Sequence, residues 1–508
     1  MNSIEAINPA TGERIDTIIE TSVEEITPMY EKSRKAFQSW SALSIDERLA
    51  YLKKLKDLIV RDMDKYAKVI VEDNGKVPVE AIMADLYPTI SAIDHILNHA
   101  KQELSTRKVK TPILLMGKKS FIEYMPRGVV LVISPWNYPF QLAMVPTVSA
   151  IVSGNTVIIK PSEVTPLVGK FMENLFLEAG FPDGVIQVAH GDGKIGSALV
   201  QAKPDYIFFT GSVRTGKIIQ EAAAKHLIPT TLELGGKDPF IVFEDAHLER
   251  AARGAVWASF TNSGQVCMGA ERIFVQRSVY DQFLQLVKKE TEALVLGSDE
   301  NADIGAMTFP TQVEIVKRHV EDALSHGAHL ELGVPPKEWN PNSMFIQPII
   351  LTNVKPDMVI MKEETFGPVM PIVLFDTVEE VIALANSTEY GLNASVWTKD
   401  LKKARFVASR LVSGAVVINE AIVSIVNPYL PFGGVKESGI GSYHGERGLT
   451  LFCHEKAIVV DSGKKKSELQ WYPYKGSYLQ FLTLFQSYFS KRRNWGAFLK
   501  SYMKLMKK

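Results

Sequence analysis

Two kinds of hydrophobic pattern follow one another along this chain of 508 residues. In residues 46–72 apolar side chains recur every three or four positions, with lysine and aspartate between them, which predicts one amphipathic helix. Residues 141–161 form the most apolar long stretch, but Pro146 and Gly154 interrupt it. A bilayer-spanning helix needs about 20 apolar residues without such breaks, so this stretch predicts a helix, a turn and a buried strand.

From residue 128 onward, short β-branched runs alternate with longer helical patterns. The runs VVLVIS, TVIIK, VIQV and YIFF are separated by segments such as residues 167–179, whose apolar spacing is helical. This alternation is typical of a parallel sheet covered by helices on both faces. It begins again after residue 236 with FIVF, a predicted helix near residues 247–262 and RIFV, so we expect a second α/β domain.

Composition excludes several classes of protein. The 57 Lys and Arg residues balance 57 Asp and Glu residues, so no overall charge favours nucleic acid as a partner. Cys267 and Cys453 are the only cysteines, which excludes a disulfide scaffold and a CxxC motif and is typical of a reducing compartment. The first twelve residues lack a basic start followed by an apolar core, so we expect no secretory signal and a cytoplasmic protein.

A glycine-containing turn follows the predicted strand at residues 206–209. Its sequence is TGSVRTGK, in which Gly211 and Gly216 flank a turn into a helix predicted to begin near Lys217. The N–H groups at a helix N-terminus suit a phosphate group. Ile218 stands where a P-loop needs Ser or Thr, so a nucleotide triphosphatase is disfavoured. The loop does not match GxGxxG either, and alone it is equally consistent with an ordinary βα turn.

Glu233 is a candidate general base. It lies between Leu232 and Leu234, just before a pair of glycines. Such a carboxyl is expected to be partly desolvated, which raises its pKa toward the range that a base needs. The alternative is a surface glutamate at the end of a strand.

Cys267 is a candidate nucleophile. It occurs in GQVC, at the predicted end of the helix near residues 247–262, with small neighbours that we expect to be flexible. Most free cysteines are small buried apolar residues, and that alternative stays open on these residues alone. The glycine and polar neighbours favour a reactive thiol.

Asn137 is a candidate donor to an oxyanion. It lies in SPWNYPF after the strand that ends at Ile133, between aromatic residues and two prolines. Rigid packing of this kind would fix the direction of the side-chain amide, as stabilisation of a developing oxyanion requires. A proline-stiffened loop without chemical function is the alternative.

The order of six motifs resembles that of the NAD(P)-dependent aldehyde dehydrogenase superfamily. The similarity extends over about residues 5–460, because INPATGE and PFGGVKESGIGSYHG also look like that superfamily. NYPF, AAAKHL and GSYHG resemble the class 3 and fatty aldehyde dehydrogenases. The six motifs are PWNYP (135–139), KPSE (160–163), FTGS (209–212), LELGGK (232–237), GQVC (264–267) and EETFGP (363–368).

The resemblance implies an α/β fold with a Rossmann-type cofactor domain, an α/β catalytic domain and a small oligomerisation element of hairpin and strand. It also implies a homo-oligomer, a dimer or a tetramer. The expected divisions are 1–108 and 127–235 for NAD binding, 236–436 for catalysis, 109–126 and 450–463 for oligomerisation, and 464–508 for a basic aromatic tail.

The resemblance also implies a mechanism. The Cys267 thiolate attacks the aldehyde carbonyl, and the alkoxide is held by the Asn137 amide and the Cys267 backbone N–H. Hydride then passes to the nicotinamide, and Glu233 deprotonates the water that hydrolyses the thioester to the carboxylic acid. Relatives that transfer the acyl group to coenzyme A lack this base, so its presence favours hydrolysis.

For the cofactor, the resemblance assigns the two ribose groups, the phosphates and the nicotinamide to separate side chains. The carboxylate of Glu163 would repel a 2′-phosphate, which favours NAD over NADP, although NADP stays an alternative. The expected cofactor residues are Trp136, Lys160, Glu163, Gly211, Ser212, Gly216, Glu364 and Phe366.

The positions that match the family's aldehyde tunnel are apolar or aromatic, and none is arginine. We therefore expect an uncharged aliphatic or aromatic aldehyde of medium to long chain length. The alternatives are a semialdehyde, a carotenoid or terpenoid aldehyde, and a catalytically silent binding protein. Plain core packing would also explain these residues. The tunnel positions are Tyr138, Leu142, Val145, Val266 and Met268.

No metal site is expected. His95 and His99 have the spacing of a zinc-binding pair, but no glutamate adjoins His95 and no third ligand is evident. These two histidines are predicted to lie on a solvated helix face.

The last 45 residues, 464–508, are basic and aromatic. They contain eleven Lys and Arg residues and one acid, Glu468, and an uncharged run at 476–490 lies between KKK and KRR. Fifteen uncharged residues are too few to span a bilayer but suit a helix lying in a membrane interface. We expect peripheral membrane contact; docking on another subunit is the alternative, and nucleic acid is disfavoured. The side chains predicted to share one helical side are Phe481, Leu482, Phe485, Tyr488 and Phe489.

Overall fold

The computed structural model describes residues 2–506, and of Glu446 it describes only the backbone. Lys507 and Lys508 of the predicted tail therefore lie outside the described residues. The chain forms two compact units, the first made of Met1–Ser105 and Tyr124–His454 and the second of Thr106–Glu123 and Glu455–Lys508. The predicted α/β fold is confirmed, whereas the predicted division into cofactor, catalytic and oligomerisation parts stays a prediction.

The chain begins with a small hairpin, followed by a series of helices. The prediction of one helix over residues 46–72 is wrong, because the backbone leaves helical geometry at Asp62 (φ −109°, ψ 25°). The apolar spacing continues through this break because both helices turn the same side to the core. The elements are β1 (Ser3–Ile7), β2 (Arg14–Ile19), α1 (Val23–Ala42), α2 (Ile45–Arg61), α3 (Met63–Asn74), α4 (Pro78–Glu80) and α5 (Tyr87–Glu103), followed by β3 (Arg107–Val109) and β4 (Lys119–Pro126).

The first large sheet lies after residue 128, as predicted. Five parallel strands lie in the order β9-β8-β5-β6-β7. The side chains of the three central strands are buried on both faces, which explains their unbroken apolar runs. The elements are β5 (Val129–Ile133), α6 (Gln141–Val152), β6 (Thr156–Lys160), α7 (Pro166–Glu178), β7 (Ile186–Val188), α8 (Gly193–Gln201), β8 (Tyr206–Thr210), α9 (Val213–Ala224) and β9 (Thr230–Glu233).

The second large sheet has seven strands in the order β12-β13-β14-β11-β10-β15-β16, parallel except for β12. A further strand, numbered below as β17, returns to the first sheet and pairs antiparallel with β9. The elements are β10 (Asp238–Val242), α10 (Leu248–Phe260), β11 (Ala270–Gln276), α11 (Tyr280–Glu292), α12 (Pro310–Ser325), β12 (His329–Leu332), β13 (Ile349–Thr352), β14 (Val369–Phe375), α13 (Val378–Ala385), β15 (Ser395–Trp397), α14 (Leu401–Ala408), β16 (Val417–Ile418) and β17 (Gly439–Ile440).

The second compact unit combines a three-stranded sheet with the C-terminal tail. The sheet has the order β18-β4-β3, with β18 at Cys453–Val460, and the tail forms two helices, α15 (Tyr478–Phe489) and α16 (Trp495–Met506). These helices bury a small core of Leu469, Leu484, Phe498 and Leu505. No helix within residues 2–506 is long and apolar enough to cross a membrane.

Two of the five tail side chains predicted to share one helical side are partly covered by the tail itself. Phe481 and Tyr488 pack against the small core of the tail, whereas Leu482, Phe485 and Phe489 are exposed. The reason is that α16 folds back on α15 and covers one edge of the apolar face, which the sequence of a single helix does not show.

A short connection leads from the first large sheet to the second. The strand β9 ends at Glu233, and only Leu234 to Lys237 separate it from the start of β10. The loops after β5, β6, β8 and β9 all leave the carboxyl edge of the first sheet, which is where parallel α/β sheets bind ligands. The fold therefore gathers the predicted site residues at this edge.

Candidate active site

Cys267 lies on a tightly packed loop. The prediction that it ends the helix near residues 247–262 is wrong, since α10 stops at Phe260 and the chain then passes through Asn262 and Ser263 with positive φ. The expectation of flexible neighbours is also wrong: a Cβ on Gly264, at φ +73°, would collide with the carbonyl of Gly367. Close backbone packing, rather than flexibility, requires glycine here.

The structure brings Asn137 next to this loop. The two segments are 128 positions apart, yet the Nδ2 group of Asn137 donates a hydrogen bond of 3.1 Å to the backbone oxygen of Gln265. Asn137 is buried. Its amide is therefore fixed beside the nucleophile loop, two residues before Cys267, in the manner that an oxyanion donor requires.

Glu233 is buried at the carboxyl end of β9, with 3% of its surface exposed. Neither of its carboxyl oxygens has a hydrogen-bond partner among the described residues. Burial raises the pKa of Glu233 well above its ordinary value, in the direction predicted. Thr210 is its partner in the adjacent strand β8, and both side chains line the same cavity as Cys267.

The surroundings of Cys267 favour the protonated form of its thiol. Burial raises its pKa, and the nearby carboxyl groups of Glu364, Asp238 and Glu233 raise it further. A thiol in this setting reacts only after a base has taken its proton.

The paired glycines of LELGGK have a specific steric role. A Cβ on Gly236 would collide with the carbonyl oxygen of Cys267, and a Cβ on Gly235 would collide with the carboxylate of Glu364. The absence of side chains therefore lets the connection between the two sheets pass between the nucleophile loop and Glu364.

A second group of predicted residues lies at and just after the carboxyl ends of β6 and β8. Lys160 and Glu163 form an ion pair of 2.8 Å. Ser212 is exposed and caps α9 by accepting the N–H of Thr215. The prediction that this helix begins near Lys217 is wrong: with Ser212 as its cap the helix begins at Val213.

The earlier start of α9 changes the role of Gly216. This glycine lies in the first turn of the helix rather than at the end of a loop, and a Cβ there would collide with Leu234. Gly211 remains in the turn, where its N–H donates to the backbone oxygen of Glu233.

Glu364 lies against the connection between the two large sheets. Glu364 accepts the N–H of Gly236 at 3.0 Å, and burial, reinforced by Glu271, raises its pKa. Phe366 has a positive φ, and its ring meets the ring of Trp136 edge to face at 5.3 Å. The predicted Trp136 thus lies beside Phe366, although 230 positions separate them in the sequence.

Lys237 and Glu271 were missed by sequence reasoning. The Lys237 ammonium is buried and pairs with Glu271 at 2.5 Å, and Glu271 also accepts the backbone N–H groups of Thr365 and Phe366. This buried pair holds the EETFGP segment in place. The position of Lys237 in LELGGK was a usable signal, but nothing in the sequence indicates its partner 34 residues later.

An apolar cavity of about 560 Å³ leads to Cys267. Four of the five predicted tunnel residues line it, namely Tyr138, Leu142, Val266 and Met268; Val145 is buried in α6 and does not. Neither lysine nor arginine is found among the described lining residues. Lining residues that were not predicted include Met83, Tyr87, Trp257, Ile422, Val426 and Tyr443.

The prediction of a solvated face for His95 and His99 is wrong. Both rings are partly buried, stack at 4.5 Å and meet the ring of Tyr429 edge to face, because a loop that the helix sequence does not show covers them. Across residues 2–506 no cluster of three or more His, Cys, Asp or Glu side chains is arranged to hold a metal ion.

Comparison with known proteins shows similarity over almost the whole chain. The sequence model of the aldehyde dehydrogenase family matches residues 1–458. A 4,4'-diapolycopene aldehyde oxidase from Methylomonas sp is 39% identical over 94% of this chain and 89% of that protein, and a 4-trimethylaminobutyraldehyde dehydrogenase from Danio rerio is 36% identical over 92% of each.

Solved structures give the same result. An aldehyde dehydrogenase from Brucella melitensis has a TM-score of 0.86 and 36% identity, covering 91% of this chain and 94% of that one. The NAD+ complex of an aldehyde dehydrogenase from Bacillus cereus has a TM-score of 0.86 and 34% identity, with the same coverage.

Proposed function

The chain belongs to the aldehyde dehydrogenase family of NAD(P)-dependent enzymes, and we propose that it oxidises an uncharged, medium- to long-chain aliphatic or aromatic aldehyde to the carboxylic acid. The observation that carries this proposal is that Cys267 and Glu233 line the same apolar cavity, with the Asn137 amide beside the nucleophile loop. Aldehyde, water and NAD+ are consumed, and carboxylic acid, NADH and a proton are formed.

Acylation begins at Cys267. Its thiol first loses its proton to solvent, because the thiolate is the form of the sulfur that attacks a carbonyl carbon. The sulfur then forms a bond to the carbonyl carbon, and the oxygen becomes an alkoxide. The Asn137 amide and the Cys267 backbone N–H are the donors that stabilise this oxygen.

The predicted cofactor residues suit the binding of a dinucleotide. Glu163 and Glu364 offer carboxylates that accept from ribose hydroxyls, and the N-terminus of α9 at Ser212 suits a pyrophosphate. NAD, when bound, supplies the oxidation by accepting a hydride. Glu163 would repel a 2′-phosphate, which supports a preference for NAD over NADP.

Deacylation uses Glu233 as the base. It takes a proton from water, the oxygen attacks the thioester carbon, and the carbon–sulfur bond breaks to release the Cys267 thiolate and the acid. A buried carboxyl with a raised pKa and no partner among the described residues suits this role, and it supports hydrolysis over transfer to coenzyme A.

The lining of the cavity supports an uncharged substrate. Among the described lining residues, Glu233 and Glu80 are the only ones of the types Asp, Glu, Lys and Arg. Burial raises the pKa of Glu80, and one of its oxygens already accepts from Thr261 and from the N–H of Asn262. A negatively charged semialdehyde would find no lysine or arginine here. The similarity to an oxidase of a carotenoid aldehyde makes such a molecule the second candidate.

A panel of aldehydes tests this proposal. We expect kcat/KM, followed by NADH absorbance, to rise with chain length from propanal to dodecanal, at about 0.8 kcal/mol for each buried CH₂, or roughly fourfold, until the cavity is filled. Succinic semialdehyde and a trimethylammonium aldehyde are the charged comparisons, and an apocarotenoid aldehyde tests the second candidate. Faster oxidation of either charged compound than of decanal would contradict the proposal.

We extend the proposal to the tail: α15 and α16 bind an anionic membrane surface peripherally. On α15 four exposed side chains, Tyr478, Leu482, Phe485 and Phe489, fall within an arc of about 60° at 100° per residue, and the exposed Leu479 lies about 60° beyond this arc. The basic run KRR directly follows, and no acidic residue occurs after Glu468. Apolar insertion combined with attraction to anionic lipid is what interfacial helices need. Homo-oligomer formation stays a prediction of family membership.

Point variants test the membrane surface better than truncation, because removing the tail would uncover Ile113 and Leu114, which pack on its core. Phe485→Ser with Phe489→Ser should abolish co-sedimentation with vesicles containing phosphatidylserine, and high salt should weaken the binding of the parent protein. Leu177→Ser with Leu227→Ser removes two apolar residues elsewhere that are, as a pair, more exposed than Phe485 and Phe489, and this variant should bind normally. The two double variants could sediment alike with the vesicles and yet differ from each other in molecular mass by light scattering. In that case the exposed face of α15 contacts another subunit instead.

A further inference from the structure

A buried ion pair lies behind the loop that carries Asn137. Lys76 and Asp85 are 2.6 Å apart and neither side chain is exposed. The Lys76 ammonium also donates to the backbone oxygen of Asn137 at 2.8 Å and lies 4.2 Å from the centre of the Tyr138 ring. One lysine thus contacts two consecutive residues of the PWNYP loop.

Asp85 fixes the far end of the same loop. Its other oxygen accepts the N–H groups of Phe140 at 3.2 Å and Gln141 at 3.1 Å, where α6 begins. Asn74 adds a third attachment by donating to the backbone oxygen of Trp136 at 2.8 Å. The segment at 74–85 therefore holds the loop at Trp136 and Asn137 and again at the start of α6.

The nucleophile loop is attached to the same point. The Nδ2 group of Asn262 donates to the backbone oxygen of Asn137 at 3.0 Å, so this oxygen accepts from both Lys76 and Asn262. Glu80, from the same segment as Lys76, accepts the backbone N–H of Asn262. The segment thus links the loop of the oxyanion donor to the loop of the nucleophile.

Burial of two charges is a costly way to stabilise a core, and apolar residues of similar volume often do so equally well. The contacts of this pair with the PWNYP loop therefore indicate a role in placing the loop rather than in adding stability. We propose that Lys76 and Asp85 are positioning residues that fix the Asn137 amide beside Cys267 for stabilisation of the oxyanion. This inference rests on the proposed function, because it assigns Lys76 and Asp85 to the acylation step.

The variant Lys76→Met with Asp85→Asn isolates this role. It removes both charges together, and the amide oxygen introduced at position 85 can still accept the N–H groups at the start of α6. We expect the protein to fold and to bind NAD as before. The rate constant of the first NADH burst should fall by about tenfold to a hundredfold, with KM for the aldehyde nearly unchanged, since a displacement of about 1 Å costs that much.

The same double substitution in an Asn137→Ala background tests whether the Lys76–Asp85 pair acts through the Asn137 amide. If the pair acts through the Asn137 amide, no further slowing occurs there. An unchanged burst in the parent background, or an equal slowing in both backgrounds, would overturn the inference. Lys76→Gln with Asp85→Asn is the second variant if the methionine form does not fold, and it should show the same slowing because glutamine is shorter than lysine.

A matched control breaks another lysine–aspartate pair. Lys403 lies 2.8 Å from Asp245, away from the cavity, and Lys403→Met should leave the burst rate unchanged. Failure of the proposed function is distinguishable, because then the parent protein itself would form no NADH with any aldehyde of the panel.

Discussion

Replacement of Cys267 by alanine is expected to abolish aldehyde oxidation, with kcat reduced by at least about a thousandfold. The reason is that Cys267 provides the one thiol among the described residues that line the cavity. Binding of NAD should persist, since Lys160 and Glu163 form their ion pair at the end of a different strand. Steady-state NADH formation and calorimetric titration with NAD measure the two properties on the same preparation.

The second cysteine supplies the control. Cys453 is buried on β18 and does not line the cavity. Cys453→Ala should lower the free energy of unfolding by about 1 kcal/mol and leave turnover intact. Residual turnover of Cys267→Ala above a few per cent of the parent rate would contradict the assignment of the nucleophile.

Replacement of Glu233 by glutamine is expected to separate the two halves of the reaction. The glutamine keeps the shape of the side chain but cannot accept a proton from water. Rapid mixing with aldehyde and NAD should show a burst of one NADH per active site, followed by turnover slowed by about a hundredfold to ten-thousandfold. An unchanged steady-state rate would mean that another group activates the water.

The pH dependence distinguishes loss of a base from general damage. Burial raises the pKa of Glu233 well above its ordinary value, so the change to the basic form is moved to a higher pH than for an exposed carboxyl. In the parent protein, kcat limited by deacylation should therefore increase with pH. The slow phase of Glu233→Gln should lack this increase. The same pH dependence in both proteins would assign the titration to a different residue.

Several features of the fold and site followed from sequence alone. The unbroken run at 129–133 predicted a strand buried on both faces, because in a parallel sheet the helices cover both sides. The position of Glu233 between Leu232 and Leu234 predicted a raised pKa, which the structure confirms in direction. The order of the six motifs indicated the family. Each of these signals lies within a few consecutive residues.

The points at which helices begin and end were less well determined by the sequence. The spacing of apolar residues did not reveal the break at Asp62, and the glycine at 216 suggested a longer turn than the one that Ser212 closes. Helix periodicity reports which side of a helix is buried, whereas a cap or a break depends on hydrogen bonds made by one or two residues.

Only the tertiary structure decided which distant residues meet. The contact of Asn137 with Gln265, the burial of Lys76 against Asp85 and the passage of Gly236 under Cys267 all join segments that are independent in the sequence. The sequence by itself determined the elements, the family and the chemical nature of the candidate site, because neighbouring residues set local periodicity. The geometry of the site depends on how the strands are ordered and on how closely their loops pack at one edge, and only the folded chain determines that order and packing.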